Sequence, residues 1–186
     1  FGNDRIDFVE YDVFDRPMTK TLFDDDNILY ETKIDYTIDD SKLATTIIDP
    51  EGMKVTLYSD GTGHTLKTIK YHKNEAEAPA VTKFAFDGIG QLMTVTDDKG
   101  GVTTYEYDIA GRKLSVTHPS VGKISYTYDN LDNLLTKTMG KGDVVTYKYE
   151  YNRLVEQKNG DDKWKNKVTL TYGGVDAKHN RVGRLA

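Results

Sequence analysis

Apolar and polar residues alternate along this chain in short runs that turn residues interrupt. Lys113–Thr117 and Lys123–Tyr128 both alternate with a period of two, which predicts β-strands because successive side chains of a strand point to opposite faces. Turn compositions precede and separate these runs, at Asp108–Gly111 and at His118–Gly122. Connections this short join antiparallel neighbours, so the pattern predicts consecutive β-hairpins, with about ten residues for each strand and its turn.

A four-residue signature recurs from end to end of the chain: two aromatic or apolar residues, two positions apart, followed by Asp. The copies lie at residues 9–12, 36–39, 57–60, 84–87, 105–108, 126–129, 147–150 and 170–173. Ser59 replaces one apolar residue, Glu150 replaces one Asp, and the last copy is degenerate, with Gly173 in place of Asp. Successive copies are 21 to 27 residues apart, and such self-similarity is typical of repeat proteins. We therefore expect residues 1–186 to form a single continuous array of about eight units, with a period of about 21, cut from a larger protein.

The signature residues are expected to carry the architecture. Their two aromatic rings should project from one face of the sheet and stack in successive repeats into aromatic ladders, contributing roughly 0.2–1 kcal/mol per cross-strand pair. Positions in the turn are counted from the third residue of each copy, so that Tyr11 is the first and Asp12 the second. The fifth position is then Gly or Asp, as at Asp15, Gly63 and Asp132, and both residue types tolerate the left-handed backbone region. The signature set is Tyr11, Asp12, Tyr36, Asp39, Asp60, Gly63, Phe86, Asp87, Gly90, Tyr105, Tyr107, Asp108, Gly111, Arg112, Tyr126, Tyr128, Asp129, Tyr147 and Tyr149.

The two 27-residue spacings between successive copies contain insertions, at Leu22–Tyr30 and at His72–Pro79. Insertions in repeat arrays map to loops on one side and are frequent binding sites, but solvated hairpin loops account for both segments. If Tyr126 and Tyr128 are buried, removing either ring should cost roughly 3 kcal/mol.

The segment Tyr107–Arg112, Tyr-Asp-x-x-Gly-Arg, resembles the signature of the YD-repeat or rearrangement-hot-spot (RHS) repeat proteins. Looser versions at 11–17, 86–92 and 128–134 extend the resemblance in phase over nearly the whole chain, and only the last fifteen or so residues depart from it. The resemblance implies hairpins that spiral into a long curved antiparallel sheet, which closes into a hollow shell, often around a toxic C-terminal domain.

The resemblance also implies a function and a location. The chain would be a structural shell segment of a secreted or cell-surface bacterial protein that encloses or presents a C-terminal effector. Its partners would be the rest of the same polypeptide, meaning further repeats and the effector, and its unpaired sheet edges favour self-association. The alternative is an adhesion or carbohydrate-binding repeat module that presents tyrosines or insertion loops to glycans.

Composition narrows the function classes. The chain has 30 acidic and 25 basic residues, interspersed along its length, whereas nucleic-acid-binding surfaces usually show a clustered basic patch. It has no cysteine, hence no thiolate metal site or cysteine nucleophile. No apolar run approaches the 18 residues of a membrane-spanning helix. Neither nucleic acid nor a membrane span is therefore expected.

Candidate catalytic and metal-binding groups have simpler explanations in the sequence. The chain has no nucleophile elbow or phosphate loop, and adjacent carboxylates in a strand face opposite ways, as at Asp39-Asp40, Asp97-Asp98 and Asp161-Asp162. A calcium site at residues 24–27 with Glu31 would lack the Gly and Glu of an EF-hand. Trp164 is expected to cap the sheet. The histidines lack the spacing of a zinc site; they are His64, His72, His118 and His179. No enzyme activity, cofactor or metal is expected.

Overall fold

The computed structural model describes residues 5–24, 27–74, 76–160, 167–173 and 185. All fifteen elements in this part of the chain are β-strands, and their order in the sheet is their order in the sequence. Each strand is antiparallel to the next from β1 to β8 and from β9 to β15. The prediction of an all-β antiparallel sheet of consecutive hairpins is confirmed. The strands are β1 (Arg5–Tyr11), β2 (Pro17–Asp24), β3 (Asn27–Asp39), β4 (Lys42–Ile48), β5 (Lys54–Ser59), β6 (Thr65–Lys70), β7 (Ala80–Phe86), β8 (Leu92–Thr96), β9 (Val102–Tyr107), β10 (Lys113–His118), β11 (Gly122–Tyr128), β12 (Leu134–Thr138), β13 (Val144–Glu150), β14 (Arg153–Asn159) and β15 (Lys167–Thr169).

The chain divides into two compact units, Phe1–Val102 and Thr103–Ala186. In each unit, the contacts between elements join strands that are neighbours in sequence. This pattern is typical of repeat arrays, in which each unit contacts only its neighbours.

The described residues of the first insertion, 22–24 and 27–30, extend two paired strands, contrary to the expectation of a solvated loop over Leu22–Tyr30. Leu22 pairs with Tyr30 and Phe23 with Ile28, and β3 reaches 13 residues as a result. The inserted residues are apolar and aromatic at their ends, which favours extended pairing over a solvated loop. The second insertion, 72–79, does form a loop between β6 and β7.

Fully buried side chains are few, and most of them are small or hydroxylated. Among the described residues, Ala44 and Val145 are the buried apolar side chains, and Thr21, Thr56 and Ser115 are buried polar ones. Tyr126 and Tyr128 are only half-buried. The expected cost of removing either ring therefore falls below that of a fully buried side chain, to about 2 kcal/mol.

The signature tyrosines do not form aromatic ladders, because a strand with other residues lies between each pair of signature strands. Opposite Tyr36 is Thr45, opposite Tyr105 is Val116, and opposite Tyr126 is Lys137. Cations approach several of the rings instead. Lys113 Nζ, for example, lies 5.1 Å from the centroid of Tyr105, within the range of a cation–π contact.

Candidate functional site in the repeat turns

One turn geometry follows five of the signature copies. The Asp backbone N–H donates to the carbonyl four residues ahead at 2.9 to 3.0 Å, and the residue three ahead donates back to the Asp carbonyl at 3.0 to 3.3 Å. The carboxylate Oδ1 accepts from the N–H groups two and four residues ahead at 2.8 to 3.0 Å. Asp therefore bonds its own turn, which explains this residue type at this position. The five residues are Asp12, Asp60, Asp87, Asp108 and Asp129.

The fifth position of these turns has the left-handed backbone that the sequence predicts. The φ angles are 57° at Asp15, 90° at Gly63, 86° at Gly90, 82° at Gly111 and 65° at Asp132. This backbone costs an ordinary L-residue roughly 1–2 kcal/mol, so Gly and Asp are the residues that fit.

The same turn also occurs at two connections that lie outside the signature copies. Asp49 and Asp97 each accept from two backbone N–H groups with Oδ1, and a left-handed glycine follows each of them. Asp39 differs from the other signature aspartates. It precedes a two-residue turn, Asp40–Ser41, with φ of 47° and 60°.

The second carboxylate oxygen holds the side chain at the sixth position of the repeat. Asp12 Oδ2 accepts from Arg16 Nε at 2.7 Å, and Asp108 Oδ2 accepts from Arg112 Nε at 2.6 Å. Where the sixth residue is Asn133, its Nδ2 donates to Asp129 Oδ2 at 2.9 Å. The turn thus fixes the direction of one further side chain.

That side chain reaches forward to the next repeat. Arg16 lies 4.2 Å from the ring centroid of Tyr36, and Arg112 lies 5.2 Å from that of Tyr128. At a third turn, His64 stacks on Phe86 with 4.6 Å between ring centroids. In each case the sixth residue of one repeat packs against a signature aromatic of the next. This aromatic is the first of its copy at Tyr36 and the second at Phe86 and Tyr128.

Tyrosine hydroxyls complete this link between repeats. Tyr36 donates to the carbonyl of Pro17 at 3.1 Å, and Tyr128 donates to the carbonyl of Lys113 at 2.9 Å. Each acceptor directly follows the arginine that covers the same ring. The degenerate eighth copy keeps the arrangement, with Arg153 at 5.6 Å from the ring of Tyr172 and the Tyr172 hydroxyl at 2.9 Å from the Leu154 carbonyl.

At four of these turns, hydrogen bonds lower the pKa of the Asp carboxyl group. Hydrogen bonding from the Thr62 hydroxyl, with further bonds from His64, lowers the pKa of Asp60 to about 2. The pKa of Asp12 is lowered chiefly by the Arg16 side chain, and that of Asp108 chiefly by the Arg112 backbone N–H. The Asn133 side chain is the main cause of the lowered pKa of Asp129. These aspartates are therefore held as carboxylates, which suits an acceptor in a turn and not a general acid.

Other candidate groups from the sequence have local partners or lie outside the described residues. His72 Nδ1 lies 3.6 Å from Glu77, and His118 Nδ1 accepts from the Ser120 N–H at 3.1 Å. Among residues 5–24, 27–74, 76–160 and 167–173, no three His, Asp or Glu side chains come together as a metal site. Outside the described residues lie Asp25 and Asp26 of the calcium candidate, Asp161-Asp162, Trp164 and His179.

A sheet of consecutive hairpins joined by these turns defines a β-hairpin repeat protein. Residues 86–120 match the RHS repeat family model. The chain therefore carries an RHS repeat, as its sequence predicts. No helix in the described part of the chain is long and apolar enough to span a membrane.

The fold of almost the whole chain is similar to that of several solved structures. The crystal structure of TcdB2-TccC3 without its hypervariable C-terminal region has a TM-score of 0.71 at 17% identity and matches 97% of this chain. Crystal structures of TcdB2-TccC3-TEV and TcdB2-TccC3-Cdc42 have TM-scores of 0.60 and 0.56, at 16% and 15% identity over 95% of this chain. The chain spans only 10% to 12% of the length of these proteins. Among curated proteins, none matches the sequence.

Proposed function

We propose that this chain is a structural segment of an RHS-repeat shell, in a secreted or cell-surface bacterial protein that encloses or presents a C-terminal effector. The likeness of fold over 97% of the chain to TcdB2-TccC3, whose description names a hypervariable C-terminal region, carries this proposal. The RHS repeat at residues 86–120 supports it independently. The partners are then further repeats and the effector of the same polypeptide.

In this proposal the signature residues act as joints and not as catalysts. The aspartates order the turns, and at several junctions a sixth-position side chain or a tyrosine hydroxyl joins one repeat to the next. A hairpin with so few fully buried side chains depends on its neighbours for stability. The whole array, residues 1–186, then functions as one continuous wall.

The experiment that tests the shell uses a longer protein that contains this segment with its native flanking regions. Limited proteolysis and electron microscopy should show a hollow, protease-resistant particle that retains a cleaved C-terminal fragment. The 186-residue segment alone is the control, because its exposed turns, such as those with Lys99 and Lys141, should then be open to trypsin.

An open or extended particle that retains no fragment would overturn the enclosing role. It would favour the alternative, an adhesion or carbohydrate-binding module. Self-association of the segment through its outermost strands, β1 and β15, stays a prediction from the exposed edges of such a sheet.

A further inference from the structure

A groove crosses β5 to β8 on the sheet face that carries Tyr58, Lys67 and Lys83. It lies within the first unit and has a volume of about 390 Å³, within the size range of ligand pockets. Tyr58 is one of the residues that line it. This tyrosine occupies the middle position of its signature copy, Leu57-Tyr58-Ser59-Asp60, and so points to the opposite face from the signature positions. The groove is lined by Asp39, Asp40, Lys42, Tyr58, Leu66, Lys67, Lys83, Phe84, Ala85, Thr94 and Thr96.

Four of the lining residues form one cross-strand row. Tyr58 pairs with Lys67, Lys67 with Lys83, and Lys83 with Thr96. Three inter-strand spacings make this row about 14 Å long, which is the length of about four residues of extended polypeptide.

The two lysines in the row are directly opposed like charges, an arrangement that destabilises a sheet. Within the described part of the chain, no carboxylate lies within 4 Å of either ammonium group. The groove's own carboxylates are engaged elsewhere, since Asp40 pairs with Lys42 at 3.2 Å and Asp39 interacts with the Tyr58 hydroxyl. A carboxylate between Lys67 and Lys83 would turn this repulsion into two charge-assisted contacts.

We propose that this groove binds an acidic polypeptide segment in extended conformation, with a Glu or Asp carboxylate seated between Lys67 and Lys83. The length of the row fits a short extended segment, and Thr96 supplies a hydroxyl beside the charge. A stacked saccharide fits less well, because Lys67 Nζ already lies 3.7 Å from the centroid of the Tyr58 ring. The site is independent of the shell proposal, since it requires only the geometry of the first unit.

The test is a titration of the isotopically labelled 186-residue chain, followed by NMR, with the blocked peptide Ac-Ala-Glu-Ala-Glu-amide. The expected result is saturable shifts of the amides of Lys67, Lys83 and Thr96, which weaken as salt is raised. The matched Ac-Ala-Gln-Ala-Gln-amide peptide should produce none. Inorganic phosphate and a neutral oligosaccharide at the same concentration should bind at least about tenfold more weakly, in keeping with the fit to an extended acidic chain.

The variant pair K67M/K83M should weaken binding of the Glu peptide about tenfold or more, because both charged contacts are lost. K99M/K141M is the matched control. It removes the same two charges from exposed turns and should leave the affinity within twofold. K67M/K83M relieves the like-charge pair but also removes the contact of Lys67 with the Tyr58 ring, and these two effects on stability are opposite in sign and similar in size. Its urea midpoint should therefore stay within about 0.5 M of that of the original chain, which separates loss of binding from loss of fold.

Three outcomes would overturn the proposal. These are equal binding of the Gln peptide, equal loss of affinity in the control pair, and tighter binding of phosphate or the oligosaccharide than of the Glu peptide. A urea midpoint for K67M/K83M more than about 0.5 M below that of the original chain would also count against it, because the lost affinity would then reflect a damaged fold.

Discussion

The substitution Tyr128→Phe tests the link between consecutive repeats at a single atom. It removes the hydroxyl that donates to the Lys113 carbonyl at 2.9 Å and keeps the ring that Arg112 covers. Tyr126→Phe is the matched control. It lies two residues away on the same strand and is equally half-buried, and its hydroxyl makes no hydrogen bond within the described residues.

The expected loss of unfolding free energy depends on whether water can replace the Tyr128 hydroxyl at the Lys113 carbonyl. Burial is the largest cause of the raised pKa of Tyr128, so its hydroxyl is partly withdrawn from water, and the Lys113 carbonyl beside it cannot be fully rehydrated. Loss of one such bond costs about 1 kcal/mol of unfolding free energy. Tyr126→Phe should stay within about 0.5 kcal/mol of the original chain.

Urea unfolding followed by circular dichroism measures the difference. With a slope of about 2 kcal/mol per molar, the Tyr128→Phe midpoint should fall by about 0.5 M. Because repeat arrays can unfold in parts, amide hydrogen exchange of β10 and β11 provides a local readout, and protection there should decrease in this variant alone. Equal midpoints and equal exchange for the two variants would refute the role of this hydrogen bond.

Two further predictions concern the turns. Gly63 has a φ of 90° and open space where a Cβ would stand, so Gly63→Ala should cost about 1 kcal/mol of unfolding free energy through the backbone alone. The control, Gly61→Ala, lies in the same turn with equally open space and an ordinary φ, and it should cost nothing. Equal urea midpoints for the two variants would contradict this prediction. The pKa of Asp60 is lowered from 3.8 to about 2 in the folded chain, so its stabilisation is complete above about pH 4 and is lost as the pH falls towards 2. Asp60→Asn should therefore reduce the fall in urea midpoint between pH 5 and pH 2.5, whereas Asp98→Asn, at an exposed turn position, should leave that fall unchanged.

The periodic features of the fold could be predicted from the sequence because they depend on local chemistry. Alternation with a period of two and closely spaced turn residues determine strands and hairpins without reference to distant parts of the chain. The left-handed fifth position was predictable for the same reason, since Gly and Asp share a tolerance that few residues have. Asp15 and Gly90 both adopt it.

The errors arose where the outcome depends on which strands become neighbours. The aromatic ladders were predicted as though signature strands paired with each other, but a strand such as β10 or β12 always separates them. The Leu22–Tyr30 insertion was judged by its acidic centre, whereas its apolar ends pair across the hairpin. The role of Arg112 was also missed. The signal was present in Tyr107–Arg112, but its target, Tyr128, is identified only by the register of the next hairpin.

Three sixth-position side chains contact an aromatic ring of the repeat that follows them, since Arg16 and Arg112 lie over Tyr36 and Tyr128 and His64 stacks on Phe86. All three contacts run in one direction, from a turn to the next repeat. A repeat unit therefore needs only two matching ends: an aromatic to receive the preceding side chain, and a turn to orient its own. A gene segment encoding one such unit could be duplicated, deleted or exchanged in frame, and the new neighbours would still fit. The Arg16–Tyr36 and Arg112–Tyr128 contacts join residues 20 and 16 positions apart, and Arg153, which follows the shorter turn Tyr151–Asn152, reaches Tyr172 over 19 positions. The same contact therefore tolerates turns and repeats of different length.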